Sequence, residues 1–195
     1  MDLGIDILAM LFAAAFIAAF IDAIAGGGGL ITIPALLMTG MPPAMALGTN
    51  KLQAFGGALS ASIYFLRKRA VNLSEFSFIL LVIFIGSVIG TLLIQSLDAS
   101  LIKKGLPFLI LAIGLYFLFT PKLGESDRKQ RISYTVFALF FGSLLGFYDG
   151  FFGPGTGSLM NLACVTLLGF NLTKATAHAK VMNLTSNFAS LIFFF

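Results

Sequence analysis

Two pairs of opposite charges interrupt an otherwise apolar chain, and their positions repeat along it. Asp22 precedes Lys51 and Asp149 precedes Lys180, so the second pair follows the first by 127 residues at the aspartate (149 − 22) and 129 at the lysine (180 − 51). A charge in apolar surroundings costs several kcal/mol unless it is paired or lines a polar cavity. Either case predicts that all four side chains face the interior of the protein.

A glycine-rich break follows each aspartate. Residues 26–29 are four glycines, and residues 153–157 read Gly-Pro-Gly-Thr-Gly. Consecutive glycines are poor helix formers, and irregular backbone of this kind is tolerated at membrane depth where it lines a cavity. A helix that starts after a break presents N–H groups and the positive end of its dipole, which together attract anions. Repeated, interrupted segments of this type are typical of the binding site of a transporter.

These features predict an anion-binding site. Each lysine lies seven or eight residues inside its predicted helix, roughly 11 Å along the axis, and amide and hydroxyl side chains supply further polar contacts. The predicted substrate-binding residues include Asn50, Lys51, Gly28, Gly29, Gly155, Thr156, Lys180 and Asn183. Asp22 and Asp149 are predicted to orient the lysines or to accept a coupling proton.

The composition indicates a membrane protein. Of 195 residues, 58% are hydrophobic and 10% are charged, whereas about a quarter of a soluble domain is charged. The apolar stretches are long and do not alternate with polar residues, which favours helices over a membrane β-barrel. The predicted fold is an all-α bundle of transmembrane helices with glycine-rich breaks. The predicted segments are 4–24, 30–40, 44–66, 75–97, 103–120, 132–149, 156–169 and 172–195.

Loop charges predict the orientation. The basic loops 67–69 and 121–131 are placed in the cytoplasm by the positive-inside rule, and the acidic N-terminus favours an external start. The first three segments then all cross, with 30–40 completed by an extended glycine run at 25–29. Five crossings then separate the start of the first repeat from the start of the second, so the halves are predicted to be inverted. If 30–40 enters and returns, the repeat is parallel.

The chain is accordingly divided into residues 1–120 as the first repeat, 121–131 as a cytoplasmic loop and 132–195 as the second repeat. The apolar end at 191–195 predicts that the second repeat is truncated. A net charge of +4 is explained by these loops, so no nucleic-acid partner is predicted. No catalytic residue, cofactor or metal is predicted either. The predicted partners are the lipid bilayer, a small anion and a coupling proton or sodium, and a homo-oligomer is left open.

The motif Ile21-Asp22-Ala23-Ile24-Ala25 with the glycines after it, the stretch Gly48-Thr49-Asn50-Lys51, and the second-half stretches 146–157 and 175–187 resemble the TauE/SafE family of sulfite and organosulfur-anion exporters. The resemblance covers essentially the whole chain, with both halves in order. It implies a multi-pass carrier of the bacterial inner membrane. It also implies that His178 joins Asn50, Lys51 and Lys180 in the site.

Other readings remain open from the residues alone. Asp22–Lys51 and Asp149–Lys180 could be structural ion pairs, with glycine turns that permit tight packing. A passive anion channel needs the same residues as a carrier. An intramembrane hydrolase would use the two aspartates as a dyad or Ser158 with His178, although a lysine near each aspartate favours ionised carboxylates.

Overall fold

The computed structural model describes residues 4–119 and 127–194, and within these ranges the chain forms eight helices and no strand. The helices are α1 (Ile5–Ala25), α2 (Gly29–Met38), α3 (Pro43–Arg67), α4 (Leu73–Ser96), α5 (Ala99–Phe119), α6 (Tyr134–Phe151), α7 (Thr156–Leu167) and α8 (Leu172–Phe194). The predicted all-α architecture is confirmed. Most of the predicted cytoplasmic loop, 121–131, lies outside the described residues.

Glycines end α2 and α7 at matching places in the two halves. Gly40, after α2, and Gly169, after α7, both have left-handed φ, of +81° and +74°. A helix commonly ends on such a residue, and glycine adopts it without steric cost. Pro43 then occupies the first position of α3, and Asn171 caps α8 by accepting the Lys174 N–H at 2.9 Å.

Helices α4 and α6 cross at van der Waals contact between their backbones. A Cβ placed on Gly90 would lie 2.2 Å from Phe147 O, and one on Gly150 would lie 2.0 Å from Ser87 O. Small residues allow such contact between helices in an apolar solvent. The sequences Gly86-x-x-x-Gly90 on α4 and Gly142-x-x-x-Gly146 on α6 have a spacing that is typical of packed membrane helices. On α6 the backbone contact with α4 lies at Gly146 and Gly150, because a Cβ on Gly142 would approach α4 only at the side chains of Ile79 and Ile83.

Helix α8 is tied to α4 by hydroxyl groups. Ser87 Oγ donates to the carbonyl of Ser186 at 2.7 Å, and Thr91 Oγ1 donates to Ser190 Oγ at 3.0 Å. All of these side chains are buried. Hydrogen bonds of this kind satisfy polar groups that no water can reach, and they place α8 between α3, α4 and α7.

The outer surface is apolar. On α1, large side chains such as Phe12 and Phe16 are 75% and 67% exposed. Three of the described helices (α1, α4 and α6) are long and apolar enough to cross a membrane. An apolar outer surface around an interior that holds charged and amide side chains differs from the pattern of a soluble protein and fits a lipid environment.

The crossing of α4 and α6 generates a stability prediction. Gly150→Ala should destabilise the protein by roughly 2 kcal/mol or more, because its methyl group would overlap the backbone of Ser87. The matched control is Gly105→Ala on α5, where an added Cβ meets nothing within 4 Å and alanine favours the helix.

The chain has no tryptophan whose fluorescence could report unfolding. Stability is therefore measured as the temperature at which half of the detergent-solubilised protein is lost from its size-exclusion peak. Equal temperatures for the two variants would contradict the close crossing.

Candidate functional site

Each lysine of the repeated pattern pairs with the aspartate of the other half. Lys51 Nζ on α3 lies 3.0 Å from Asp149 Oδ1 on α6, and Lys180 Nζ on α8 lies 3.8 Å from Asp22 Oδ2 on α1. The alternative of ion pairs within each half, Asp22–Lys51 and Asp149–Lys180, is therefore wrong. We call the observed contacts the crossed pairs.

Each ammonium group also donates a hydrogen bond to a backbone carbonyl at the end of the helix that carries the paired aspartate. Lys51 donates to the carbonyl of Asp149, and Lys180 donates to the carbonyl of Asp22. Both carbonyls lie in the last turn of their helix, where the negative end of the dipole favours a cation. Charge, helix dipole and hydrogen bond therefore act together on two lysines that are 1% and 3% exposed.

The crossed pairs differ in how completely the carboxylate is satisfied. Asp149 uses both oxygens, because Ser186 Oγ donates to Oδ2 at 2.5 Å while Oδ1 faces Lys51. Asp22 Oδ1 accepts the N–H of Gly28 at 3.1 Å. Asp22 Oδ2 is buried and has no hydrogen bond, only the longer contact with Lys180.

The glycine breaks meet backbone to backbone. A Cβ placed on Gly26 would lie 2.5 Å from Ser158 N, and one on Gly29 would lie 3.3 Å from Pro154 Cα. The first break is a turn of three residues, 26–28, between α1 and α2. It is shorter than the extended run expected at 25–29, because Gly28 already has helical φ and ψ.

Several of the N–H groups predicted to bind an anion already donate hydrogen bonds within the glycine breaks. The N–H of Gly28 is bound to Asp22, and that of Leu30 donates to Gly27 O at 2.9 Å. Thr156 donates both its N–H and its hydroxyl to Gly153 O. The dipoles of α2 and α7 still point toward the breaks, but these donors are used for local structure.

A small cavity lies between the breaks. Its volume is about 10 Å³, which is room for about one water molecule. Its lining contains carboxylates, amides, a hydroxyl and glycine backbone: Asp22, Gly27, Gly29, Asn50, Ala54, Asp149, Gly153, Gly155, Thr156, Gly157, Asn183 and Asn187.

Most predicted site residues therefore come together, but at different positions relative to the cavity. Asn50, Asn183, Gly29, Gly155 and Thr156 line it. Gly28 lies behind it, since a Cβ there would meet Ala18 O at 2.6 Å. Lys51 and Lys180 are outside the lining and are engaged with the opposite aspartates.

His178 lies in a separate aromatic cluster. Its ring centroid is 4.6 Å from that of Phe76 and 4.7 Å from that of Phe170, and Nδ1 is 2.7 Å from Lys174 O. In this position the ring packs α8 against α4 and the end of α7. Its predicted part in the substrate site stays a prediction, carried by the resemblance.

Sequence reasoning missed Ser186, which holds Asp149, and the hydroxyl contacts beside it. A signal was present. Residues Asn183, Ser186, Asn187 and Ser190 follow the spacing i, i+3, i+4 and i+7, which places four polar side chains on one face of α8. All four are buried, so the polar stripe faces the interior.

The crossed pairs generate a second stability prediction. Lys51→Met should cost about 3–5 kcal/mol, because it leaves Asp149 buried and unpaired. Adding Asp149→Asn should recover most of this loss, whereas adding Asp22→Asn should not. The measurement is the temperature at which half of the protein is lost from its size-exclusion peak, taken for each single and each double variant. Equal recovery by the two asparagine substitutions would show that the pairs are not crossed.

The chain is similar to known proteins along almost its whole length. The family profile described as "Sulfite exporter TauE/SafE" matches residues 11–195. The chain is 76% identical over 194 residues to a "Probable membrane transporter protein" of Haemophilus influenzae, covering 100% of this chain and 76% of that protein.

Further relatives carry the same kind of name. The "Probable membrane transporter protein YfcA" of Escherichia coli K12 is 56% identical over 188 residues, covering 96% of this chain and 70% of the relative. The "Probable membrane transporter protein ORF9" of Sinorhizobium sp is 50% identical over 196 residues, covering 99% and 75%. No solved structure matches the chain. With a profile match over almost its whole length and relatives this similar, the chain belongs to the sulfite exporter TauE/SafE family of membrane transporters.

Proposed function

We propose that the protein is a multi-pass secondary transporter of the bacterial inner membrane that moves a small anion by alternating access. The substrate class we favour is a sulfur-containing anion such as sulfite or an organosulfonate. The description of the family as a sulfite exporter supports sulfite. The observation that carries the proposal is the cavity between the glycine breaks, flanked by the crossed pairs.

The charges beside the cavity suit an anion that must be released again. Two carboxylates and two ammonium groups balance within the interior, so no fixed net charge holds a bound ion permanently. An anion that approaches Lys180 replaces a carboxylate 3.8 Å away, and the amides of Asn50 and Asn183 provide donors beside it. Binding of this type exchanges one partner of the lysine for another.

The size of the cavity requires a conformational change. Sulfite has four heavy atoms, whereas the cavity accommodates about one water. We assign this arrangement to a closed state. The crossed pairs join α3 to α6 and α1 to α8, so motion of one half against the other must weaken at least one of them. In transporters built from repeats, such motion exposes the central site alternately to the two sides.

The contacts favour transport over hydrolysis. An aspartyl dyad needs two carboxylates that share a proton at close range. Here each carboxylate is paired with the ammonium group of a lysine from the other half and not with the other carboxylate. The relatives are also named as transporters.

Transport is tested with protein reconstituted in liposomes and radiolabelled sulfite, an alkyl sulfonate, sulfate or acetate. We expect saturable uptake of one of the sulfur anions. We also expect faster uptake when the same unlabelled anion is inside, because a carrier exchanges and a channel does not. Asn183→Ala should raise KM about tenfold, since a lost hydrogen bond to a charged group costs about 1.5 kcal/mol or more.

The control is Asn161→Ala, which alters another largely buried asparagine that bonds Thr176 and does not line the cavity. It should leave KM unchanged. Flux that follows the membrane voltage without exchange would identify a channel, and no flux of any of the four anions would contradict the proposal.

A further inference from the structure

Two oxygen atoms beside the cavity lack hydrogen-bond donors. Within residues 4–119 and 127–194, four buried side-chain atoms have no hydrogen-bond partner: Asp22 Oδ2, Asn50 Oδ1, Ser62 Oγ and Asn161 Oδ1. Asp22 and Asn50 are 8% and 3% exposed, and both line the same cavity. A buried acceptor without a donor costs about 1–3 kcal/mol, so two at one place require an explanation.

Of the two aspartates in the site, only Asp22 has an oxygen without a hydrogen-bond donor. Asp149, at the matching position of the second half, has both oxygens satisfied by Lys51 and Ser186. The residue of the first half that corresponds to Ser186, at the lysine offset of 129, is Gly57, which has no side chain to donate. Asp22 Oδ2 therefore has only the ammonium of Lys180 near it, 3.8 Å away, and Asp22 is one of the residues that line the cavity.

The missing partner has a definable chemistry. Both free atoms are oxygens, one of them a carboxylate oxygen, and the rest of the lining adds a second carboxylate, a hydroxyl and glycine backbone. Hard cations take oxygen ligands of this kind. The space suits a single particle of about the size of water, and the balanced charges around it favour a monovalent over a divalent ion, because less charge must be buried.

We infer that this cavity binds a sodium ion through Asp22 Oδ2 and Asn50 Oδ1, and that sodium is the coupling ion of the transporter. A cation beside Asp22 competes with Lys180 for the same carboxylate. It weakens the longer crossed pair and frees an ammonium group for the anion. The sodium site and the anion site then favour each other's occupancy, as reciprocal linkage requires. The coupling role rests on the proposed function, whereas sodium binding can be measured without it.

Sodium binding is tested by thermal stability of the purified protein in chloride salts of sodium, potassium and N-methyl-D-glucamine at equal ionic strength. Saturating sodium should raise the temperature of half-loss by roughly 5–10 °C over the other two salts, at about a hundredfold excess over Kd. Asn50→Ala should remove this shift. The matched control Asn161→Ala also removes an unpartnered, buried amide oxygen, but outside the cavity, and should keep the shift.

Equal stability of the wild-type protein in all three salts would overturn the inference and leave a water molecule as the partner of the two oxygens. Retention of the full shift in Asn50→Ala would overturn the assigned ligand. If Asn50→Ala does not fold, the salt comparison on the wild-type protein decides alone.

Uptake in liposomes separates the two proposals. An inward sodium gradient should accelerate anion uptake at least fivefold over a potassium gradient. Anion exchange at the same rate with and without a sodium gradient would contradict the coupling role of sodium but not the proposed anion transport. A sodium-dependent shift in stability without any anion flux would support the sodium site and contradict the proposed anion transport.

Discussion

Burial of four charges in an apolar bundle is the constraint on which the site depends. Lys51 and Lys180 are almost inaccessible, and an unpaired charge at such a place would cost several kcal/mol. Each lysine is compensated by a carboxylate and by a helix-end carbonyl from the other half of the chain. Neither half can satisfy its own lysine in this arrangement, so the two halves must assemble together around the cavity.

The glycines follow from that assembly. Two helix ends and two lysines meet in one small volume, and side chains at the contact would keep the backbones apart. A Cβ on Gly153 would lie 2.9 Å from Lys51 Nζ, and one on Gly26 would overlap the backbone of Ser158. Glycine at these positions lets charge and main chain approach closely enough to replace solvation. The same breaks leave the cavity between them.

Much of this was predictable from the sequence. The long apolar segments fixed the helices, because no other structure satisfies the backbone in an apolar environment. The glycine breaks and the repeated charges predicted where polar groups gather in the interior, and Asn50 and Asn183 line the cavity there. Their part in binding a substrate stays a prediction. The donors at the helix starts were overestimated, because local turns use several of them. Ser186 was missed, although its position on a polar stripe of α8 was visible.

The sequence by itself determined that Asp22, Lys51, Asp149 and Lys180 must be buried and compensated, since their cost in an apolar chain does not depend on the fold. Only the tertiary structure decided which charges pair. Sequence proximity pointed to the lysine of the same half, whereas packing of α3 on α8 and of α4 on α6 brings each lysine to the opposite helix end. It also decided that Asp149 is fully satisfied and Asp22 is not, because that difference comes from Ser186 reaching one carboxylate across space.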